Sequence, residues 1–367
     1  MGDVEYRRSR PEDRAAILGL LAEGKPAAIV QARAVDFDWQ HGGQNPHTDG
    51  RPPFWVATVD GEVVGANGMM PVHVRLEGEP ALGVWSCDTI VSPAHRGKGI
   101  GKALLERVSA EADVVLGYGI SNMSNPILEK LGWESSTELR GLFHHVHEHG
   151  ALGLVRNART ALDKLTHAGL GRRDRLAAVD VTIDEACTFG PEVDALWHES
   201  APTYASVVER DAAYLTWRYA RHPRLRYVVY RAHRPHLGGA RLAALLIARP
   251  DPIESVIADY CGPADCADEK DALVEAAVFD LGHRGTTRIR GESTDGPFLE
   301  SLRRAGFHET DGRFRFRVGP RGRKAAGWML MTGDSDNDLV SLGPAAVPSD
   351  WGPDPKPFID DRNEGER

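Results

Sequence analysis

Six residues, Arg96-Gly97-Lys98-Gly99-Ile100-Gly101, place three glycines at alternate positions among cationic side chains. Glycine tolerates backbone conformations that turn successive N–H groups toward one point, and a helix starting here would add its positive end. The chemistry such a loop supports is the binding of a pyrophosphate. A tight connection into a helix uses the same residue types, so the surroundings must decide. No Gly-Lys-Ser/Thr closes the loop, which excludes a Walker motif. It follows a late strand of a meander rather than a first βα turn, which excludes a dinucleotide fingerprint.

Histidines form two further groups. On a strand, His145, His147 and His149 would share one face. Same-face side chains stand about 7 Å apart along a strand, so three imidazoles converge on one ion only if the strand bends. A solvated strand end is the ordinary reading, an active-site base the next, and no metal is expected. His41 and His47, in a stretch dense in Gly and Pro, carry the same low weight as ligands or bases.

These residues need elements to hold them. Residues 4–8 alternate as a strand, and Pro11 opens a helix carrying Ile17, Leu18, Leu20 and Leu21. Residues 41–53 read as a long loop, of the kind that shapes an acceptor site. Asp60-Gly61-Glu62 marks a hairpin, and a meander through 72–74 and 84–91 leads to the glycine loop. Ala103, Leu104, Val108 and Ala112 then form an amphipathic helix. A buried strand at 114–120, a short helix begun by Asn125-Pro126 and capped by Gly132, and a strand from Trp133 complete the first unit near residue 150. Residues 151–177 have helical periodicity and read as a bridging helix. From 178 to 332 the order repeats, with strands at 227–232, 241–248, 255–261, 287–291 and 314–318 and helices at 211–221, 267–281 and 297–305. Ala305-Gly306-Phe307 echoes Leu131-Gly132-Trp133, the mark of a tandem repeat. Residues 333–367, rich in Gly, Asp, Pro and Ser, read as an extended or disordered tail.

The run Asp88-Thr89-Ile90-Val91-Ser92-Pro93-Ala94-His95-Arg96-Gly97-Lys98-Gly99-Ile100-Gly101, followed by Leu104-Leu105, resembles the GNAT superfamily of acyl-CoA-dependent N-acyltransferases. Its hallmark is Arg/Gln-x-x-Gly-x-Gly/Ala after an apolar-x-Val-x-Pro strand. Ile127-Leu128-Glu129-Lys130-Leu131-Gly132-Trp133 resembles the family's later helix and strand. The resemblance implies an α/β (α+β, mixed-sheet) fold with two tandem GNAT-like domains, each a mostly antiparallel sheet flanked by helices. Amides from Gly97 through Lys98, Gly99, Ile100 and Gly101 to Lys102, with Arg96, would hold the CoA pyrophosphate. The backbone of Ile90 and Val91 would pair with pantetheine, and Asn125 would lie near the cofactor. The thioester would sit where the fourth and fifth strands part.

Direct transfer also needs a group to take the amine proton. Asp88, just ahead of the pantetheine stretch, is the candidate base, with a structural carboxylate as the alternative. Asn122 is a candidate hydrogen-bond partner for acceptor or cofactor, with a turn cap as its alternative. The family's usual proton donor to the thiolate, a tyrosine, would fall at Leu128. The second half resembles a degenerate GNAT fold, as in tandem bacterial members. Its Ala264-Asp265-Cys266-Ala267-Asp268-Glu269-Lys270 stands where the glycines should be, and Trp217-Arg218-Tyr219 resembles that group.

The 367 residues, 41% hydrophobic and 26% charged, suffice for two cores and exclude a disordered chain. A formal charge of −9 opposes nucleic acid as partner. The longest apolar run, 242–248, falls short of the roughly 20 residues a membrane span needs. The charged N-terminus does not fit a signal peptide. The N-terminus therefore points to the cytoplasm, and the four scattered cysteines read as buried reduced thiols. The expected activity is N-acyl transfer from acetyl-CoA, or another short acyl-CoA, as co-substrate, to a small-molecule primary amine or amino sugar. The alternatives are a non-catalytic acyl-CoA-binding scaffold and other chemistry on acyl-CoA or acyl carrier protein.

Overall fold

Two tight turns set the register of the first sheet. Asp60 (φ 50°) and Gly61 (φ 84°) reverse the chain between β2 (Phe54–Val59) and β3 (Glu62–Leu76). Glu77 (φ 52°) and Gly78 (φ 86°) do the same between β3 and β4 (Glu79–Val91). Paired left-handed residues match the right-handed twist of the strands they join. The computed structural model describes residues 3–335, apart from 26, 49, 121–123, 135–138, 147–177, 315 and 321–324. Asn122, His147, His149, the 151–177 helix and the tail beyond 335 lie outside the described residues.

β1 (Val4–Arg8) pairs with β2, and β5 (Val114–Tyr118) runs parallel to β4. Alternation along β2 divides the layers. Phe54 and Val56 pack with Ile17 of α1 (Arg14–Ala22) and Phe37 of α2 (Ala27–His41). Ala57, on the opposite face, packs with Ile100 and Leu104 of α3 (Ile100–Val108), beside which lies α4 (Asn125–Lys130).

The second sheet runs β13-β6-β12-β11-β10-β9-β7. Its members are β6 (Leu139–His145), β7 (Asp180–Asp184), β9 (Val228–His236), β10 (Gly239–Arg249), β11 (Glu254–Cys261), β12 (Arg288–Ser293) and β13 (His308–Phe314). All its pairings are antiparallel except β11 with β12. Its helices are α5 (Pro191–Ser200), α6 (Ala212–Leu215, continued by a π-helical turn Thr216–Ala220), α7 (Ala267–His283) and α8 (Gly296–Arg304). The fold is thus two mixed, mostly antiparallel sheets flanked by helices, as expected.

The sheets exchange strands. β6, which the sequence reading put at the end of the first unit, lies between β12 and β13. In return β14 (Phe316–Val318) crosses to the outer edge of β5. β8 (Ser206–Val208) extends the first sheet from Val74–Leu76, and β15 (Trp328–Met329) adds to β8. One buried cluster accordingly joins Trp85 and Leu116 of the first sheet to Leu246 and Ile257 of the second. Within it the indoles of Trp39 and Trp217 stack at 4.7 Å, and Arg218 lies 5.5 Å from the Trp39 ring, a cation–π contact.

Residues 333–335, read from sequence as the start of an extended tail, are instead buried with Thr332. Arg210 binds both Asp334 carboxylate oxygens at 2.8 and 2.7 Å, and Arg218 donates to the Gly333 and Ser335 carbonyls. Composition alone cannot reveal a polar segment whose partners are buried arginines far along the chain. Among the described residues, no helix is long and apolar enough to cross a membrane.

Candidate active site

β4 and β5 pair only from Gly83–Val114 to Trp85–Leu116. Beyond this point the strands part, and β4 continues to Val91 with β3 as its one strand partner among the described residues. Against β3 the register shifts between Ala66 and Gly68, so Asp88 and Thr89 stand opposite the single residue Asn67. This is a β-bulge, and it bends the strand and re-aims a side chain. Asp88 takes the left-handed conformation (φ 52°), uncommon outside glycine but tolerated by Asp. The buried Asn67 amide holds the bulge by donating to Thr89 Oγ1 at 2.6 Å and Ser86 Oγ at 3.1 Å.

After Val91, a 3₁₀ turn over Pro93–His95 leads into the glycine loop. Gly97 (φ 74°) and Gly99 (φ 80°) are left-handed, and a Cβ on either would meet nothing within 4 Å. Their requirement is conformational, not steric. The first α3 bond runs from Ala103 N–H to Gly99 O, so the amides of Ile100, Gly101 and Lys102 have no partner inside the helix. Ile100 and Leu104 anchor this end in the core, while Arg96, Lys98 and Gly99 are exposed. The set fits a pyrophosphate: free amides, cationic side chains and a helix start converge on one exposed turn. Arg96 Nε donates to the Val91 carbonyl at 3.0 Å, engaging a group expected to pair with pantetheine.

The structure brings Asp88, Ile90, Val91 and residues 96–102 together on one strand, loop and helix. Asn125 is engaged elsewhere: its Oδ1 accepts from Arg317 of β14 at 2.8 Å, and its Nδ2 donates to Glu129 at 3.0 Å. Leu128 is 4% exposed and packs with Met69, Val84, Leu105 and Trp133. Tyr118, at the end of β5, donates to Glu292 of β12 and so ties the sheets together.

Asp88 is buried at 4% exposure with Arg33 of α2 2.6 Å from Oδ1 and His41 Nε2 4.0 Å from Oδ2. Burial alone would push its carboxyl up, but the Arg33 guanidinium and the His41 imidazole outweigh it and hold Asp88 below the usual carboxylate range. A carboxylate held in its charged form suits orientation better than proton uptake. Cys87, Asp88 and His41 could gather on a cation, yet Arg33 already supplies the positive charge. A second cluster whose ligand atoms lie close together is His47, His73 and Glu209. His47 Nδ1 accepts the His73 backbone N–H at 3.0 Å, which puts the proton of the neutral ring on Nε2.

A cavity of about 690 Å³ has His41 in its wall. Its walls include His41, Asn45, Thr48 and Arg51 from the 41–53 segment, Phe37 and Phe54 beneath them, and Arg14 and Asp38 at one side. The segment expected to shape an acceptor site therefore lines the cavity, and His41 of that segment stands 4.0 Å from Asp88 of the bulge. Sequence reasoning missed α2, which supplies Arg33 and ends at His41. Ile29, Ala32 and Trp39 repeat at helical spacing, but charged neighbours dilute the pattern.

In the second half, the turn before α7 is closed. Lys270, fully buried, donates to the Ala264 carbonyl and to Asp295, each at 2.7 Å, and fills the turn before α7. Asp268 and Glu269 pair with Arg234. β11 and β12 pair only as far as Ile257–Gly291. Residues 328–333 fill the gap beyond: Met331 bridges Ser293, and Gly333 lies against the Ala258 carbonyl.

Residues 50–135 match the Acetyltransferase (GNAT) domain family. No curated protein matches the chain. Among solved structures, the chain is similar to a GCN5-related N-acetyltransferase from Anabaena variabilis (12% identity, 86% of this chain and 72% of that one, TM-score 0.57). It is also similar to a probable N-acyltransferase of unknown function from Enterococcus faecalis (11%, 87% and 72%, TM-score 0.56). Saccharomyces cerevisiae N-myristoyltransferase with bound myristoylCoA is a third (12%, 87% and 83%, TM-score 0.50). At these identities the likeness is one of fold. The glycine loop, the bulge and the parted strands all lie within residues 50–135, the segment that matches the GNAT acetyltransferase domain.

Proposed function

We propose that the protein transfers a short acyl group, acetyl first among candidates, from CoA to the primary amine of a small molecule. The observation that carries this reading is the opening of β4 from β5 beyond Trp85–Leu116, followed by the glycine loop and carrying a bulge whose Asp88 stands 4.0 Å from the cavity-lining His41. Amides of residues 97–102 would hold the pyrophosphate, and the free edge of β4 near Ile90 would align the pantetheine arm. Acceptors with an apolar body and a primary amine, amino sugars among them, fit a cavity walled by Phe37, Phe54 and Met69 with polar groups at its rim.

Calorimetric titration of acetyl-CoA into wild type and Gly99→Glu, followed by thiol release over pooled amines, tests the reading. Micromolar binding that the variant loses, with an amine that accelerates release, supports it. Binding without amine-dependent release on any short acyl-CoA defeats it. The N-myristoyltransferase neighbour justifies adding a long-chain acyl-CoA to the donor panel. A second reading, a non-catalytic acyl-CoA-binding protein, draws on Leu128, which sits in the core where the family's proton donor falls. It predicts tight binding and no turnover.

A further inference from the structure

We infer that His41 is the general base that takes the proton from the acceptor nitrogen, and that Asp88, anchored by Arg33, is the positioning residue that sets its ring. The inference rests on the acyltransferase reading above and names the proton acceptor of that same site.

His41 is the last residue of α2, and its side chain is only 1% exposed. The ring packs on Phe37 (5.0 Å between centroids) and Phe54 (4.6 Å). Among the described residues, neither ring nitrogen has a hydrogen-bond partner. Leaving a buried polar group unpaired is costly, and such groups cluster where a substrate supplies the missing partner. His41 is among the residues that line the cavity. Its Nε2 stands 4.0 Å from Asp88 Oδ2, a separation that can shorten when substrate binds. A cation, an anion and an imidazole thus run in order from Arg33 through Asp88 to the cavity wall.

The other ionisable groups around the cavity are less suited. Asp38 is engaged by both arms of Arg14, at 2.7 and 2.6 Å, and Arg51 contacts Glu111. The charges facing His41 are Asp88 from β4, Arg33 and Asp38 from α2, Arg14 from α1, and Arg10 and Arg51 around the cavity, with the Cys87 thiol beside Asp88. In the reaction the amine nitrogen bonds to the thioester carbonyl carbon, the carbon–sulfur bond breaks, and the nitrogen's proton passes to His41. CoA leaves as thiolate and takes a proton from solvent, and the imidazolium returns its proton to solvent. The Asp88 carboxylate stabilises the imidazolium meanwhile.

The test uses the full chain, acetyl-CoA and the pooled primary amines. For His41→Gln, kcat should fall about 10²- to 10⁴-fold while acetyl-CoA affinity by calorimetry stays at the wild-type value. The acid limb of the wild-type pH–rate profile should disappear. Asp88→Asn, nearly isosteric, should keep the fold and move that limb to lower pH, because removing an adjacent anion weakens the imidazole as a base. A merely structural Asp88 would leave the limb in place, which overturns the positioning role. A His41→Gln enzyme with wild-type kcat and profile overturns the base assignment alone. Wild type that binds acetyl-CoA yet acylates none of the amines overturns the transferase reading and this inference with it.

Discussion

Met331 pairs with Ser293 on the edge of β12 that faces β11, while the opposite edge of Ser293 pairs with Arg140 of β6. The chain's own segment therefore lies in the cleft where β11 and β12 of the second sheet part. Arg210, gripping Asp259 at 2.8 Å and Asp334 through both oxygens, seats that segment from below. A bound pantetheine arm would have to displace Met331 and Gly333 from backbone contacts and unseat a fully buried ion pair.

The first prediction follows from this closure. Acetyl-CoA should bind with a stoichiometry of one per chain, and Lys270→Ala should not create a second site because residues 328–333 still fill the cleft. Isothermal titration of both proteins reads this directly, and two equivalents bound to either would contradict it.

The glycines separate binding from folding. Gly101 is not left-handed, and a Cβ there meets only Val91 Cγ2 at 3.7 Å, an ordinary contact. Gly101→Glu should therefore melt within a degree or two of wild type, in the range of a surface change. Its carboxylate sits at the amides expected to hold the pyrophosphate, so CoA affinity should fall at least about tenfold, equal to about 1.4 kcal/mol. Gly99→Ala should show the reverse, a loss of about 1–2 kcal/mol in stability from forcing a side chain into left-handed backbone, with a smaller effect on affinity. Denaturant melts and calorimetry on the pair distinguish the two effects.

Much of this site was legible because its signals are local. Gly97, Gly99 and the following Leu104 encode a turn and a helix within a few residues, and Asp60-Gly61 encodes its hairpin outright. The strands and helices of the second half were legible for the same reason. The exchange of β6 for β14 was not, since Leu139–His145 carries an alternation that suits either sheet and pairing depends on residues far along the chain. His41 was visible as a residue but read as part of a loop, because α2 carries Asp36, Asp38 and Arg33 among its apolar positions. Its neighbour Asp88 owes its orientation to a bulge, which no periodicity announces.

His47 supplies a pH prediction. Burial first, and the nearby His73 second, lower its pKa to about 3 from the ordinary 6.5. The folded protein thus keeps it neutral where the unfolded chain is protonated. Stability from this group is complete above pH 6.5 and is lost as pH falls toward 3, at about 1.4 kcal/mol per pH unit. His47→Gln should lower stability at pH 7.5 through lost stacking on His73 and Tyr214, at 4.2 and 4.6 Å. The gap to wild type should shrink between pH 6 and 4.5. Parallel urea melts across that range would refute the assignment if the gap stayed constant.

The exchanged strands predict how the molecule unfolds. Arg317 of β14 donates to the Asn125 side chain and the Trp133 carbonyl at 2.8 and 2.9 Å, and it also contacts Glu129. It therefore ties the last strand of the first sheet to α4 and to the chain leaving it. β6 meanwhile is flanked on both sides by strands from beyond residue 287. Neither sheet can be completed without the other half of the sequence, so neither half should melt alone. Calorimetry should show one transition whose van't Hoff and calorimetric enthalpies agree. A fragment of residues 1–150 should lack that transition, because β5 loses its outer partner and β6 has no sheet to join. Arg317→Ala should lower the single midpoint, as breaking a partly buried hydrogen-bonded cation costs about 1.5–3 kcal/mol, without splitting it. Two resolved transitions in wild type, or a fragment that melts cooperatively and binds CoA, would show that the halves fold independently despite the exchange.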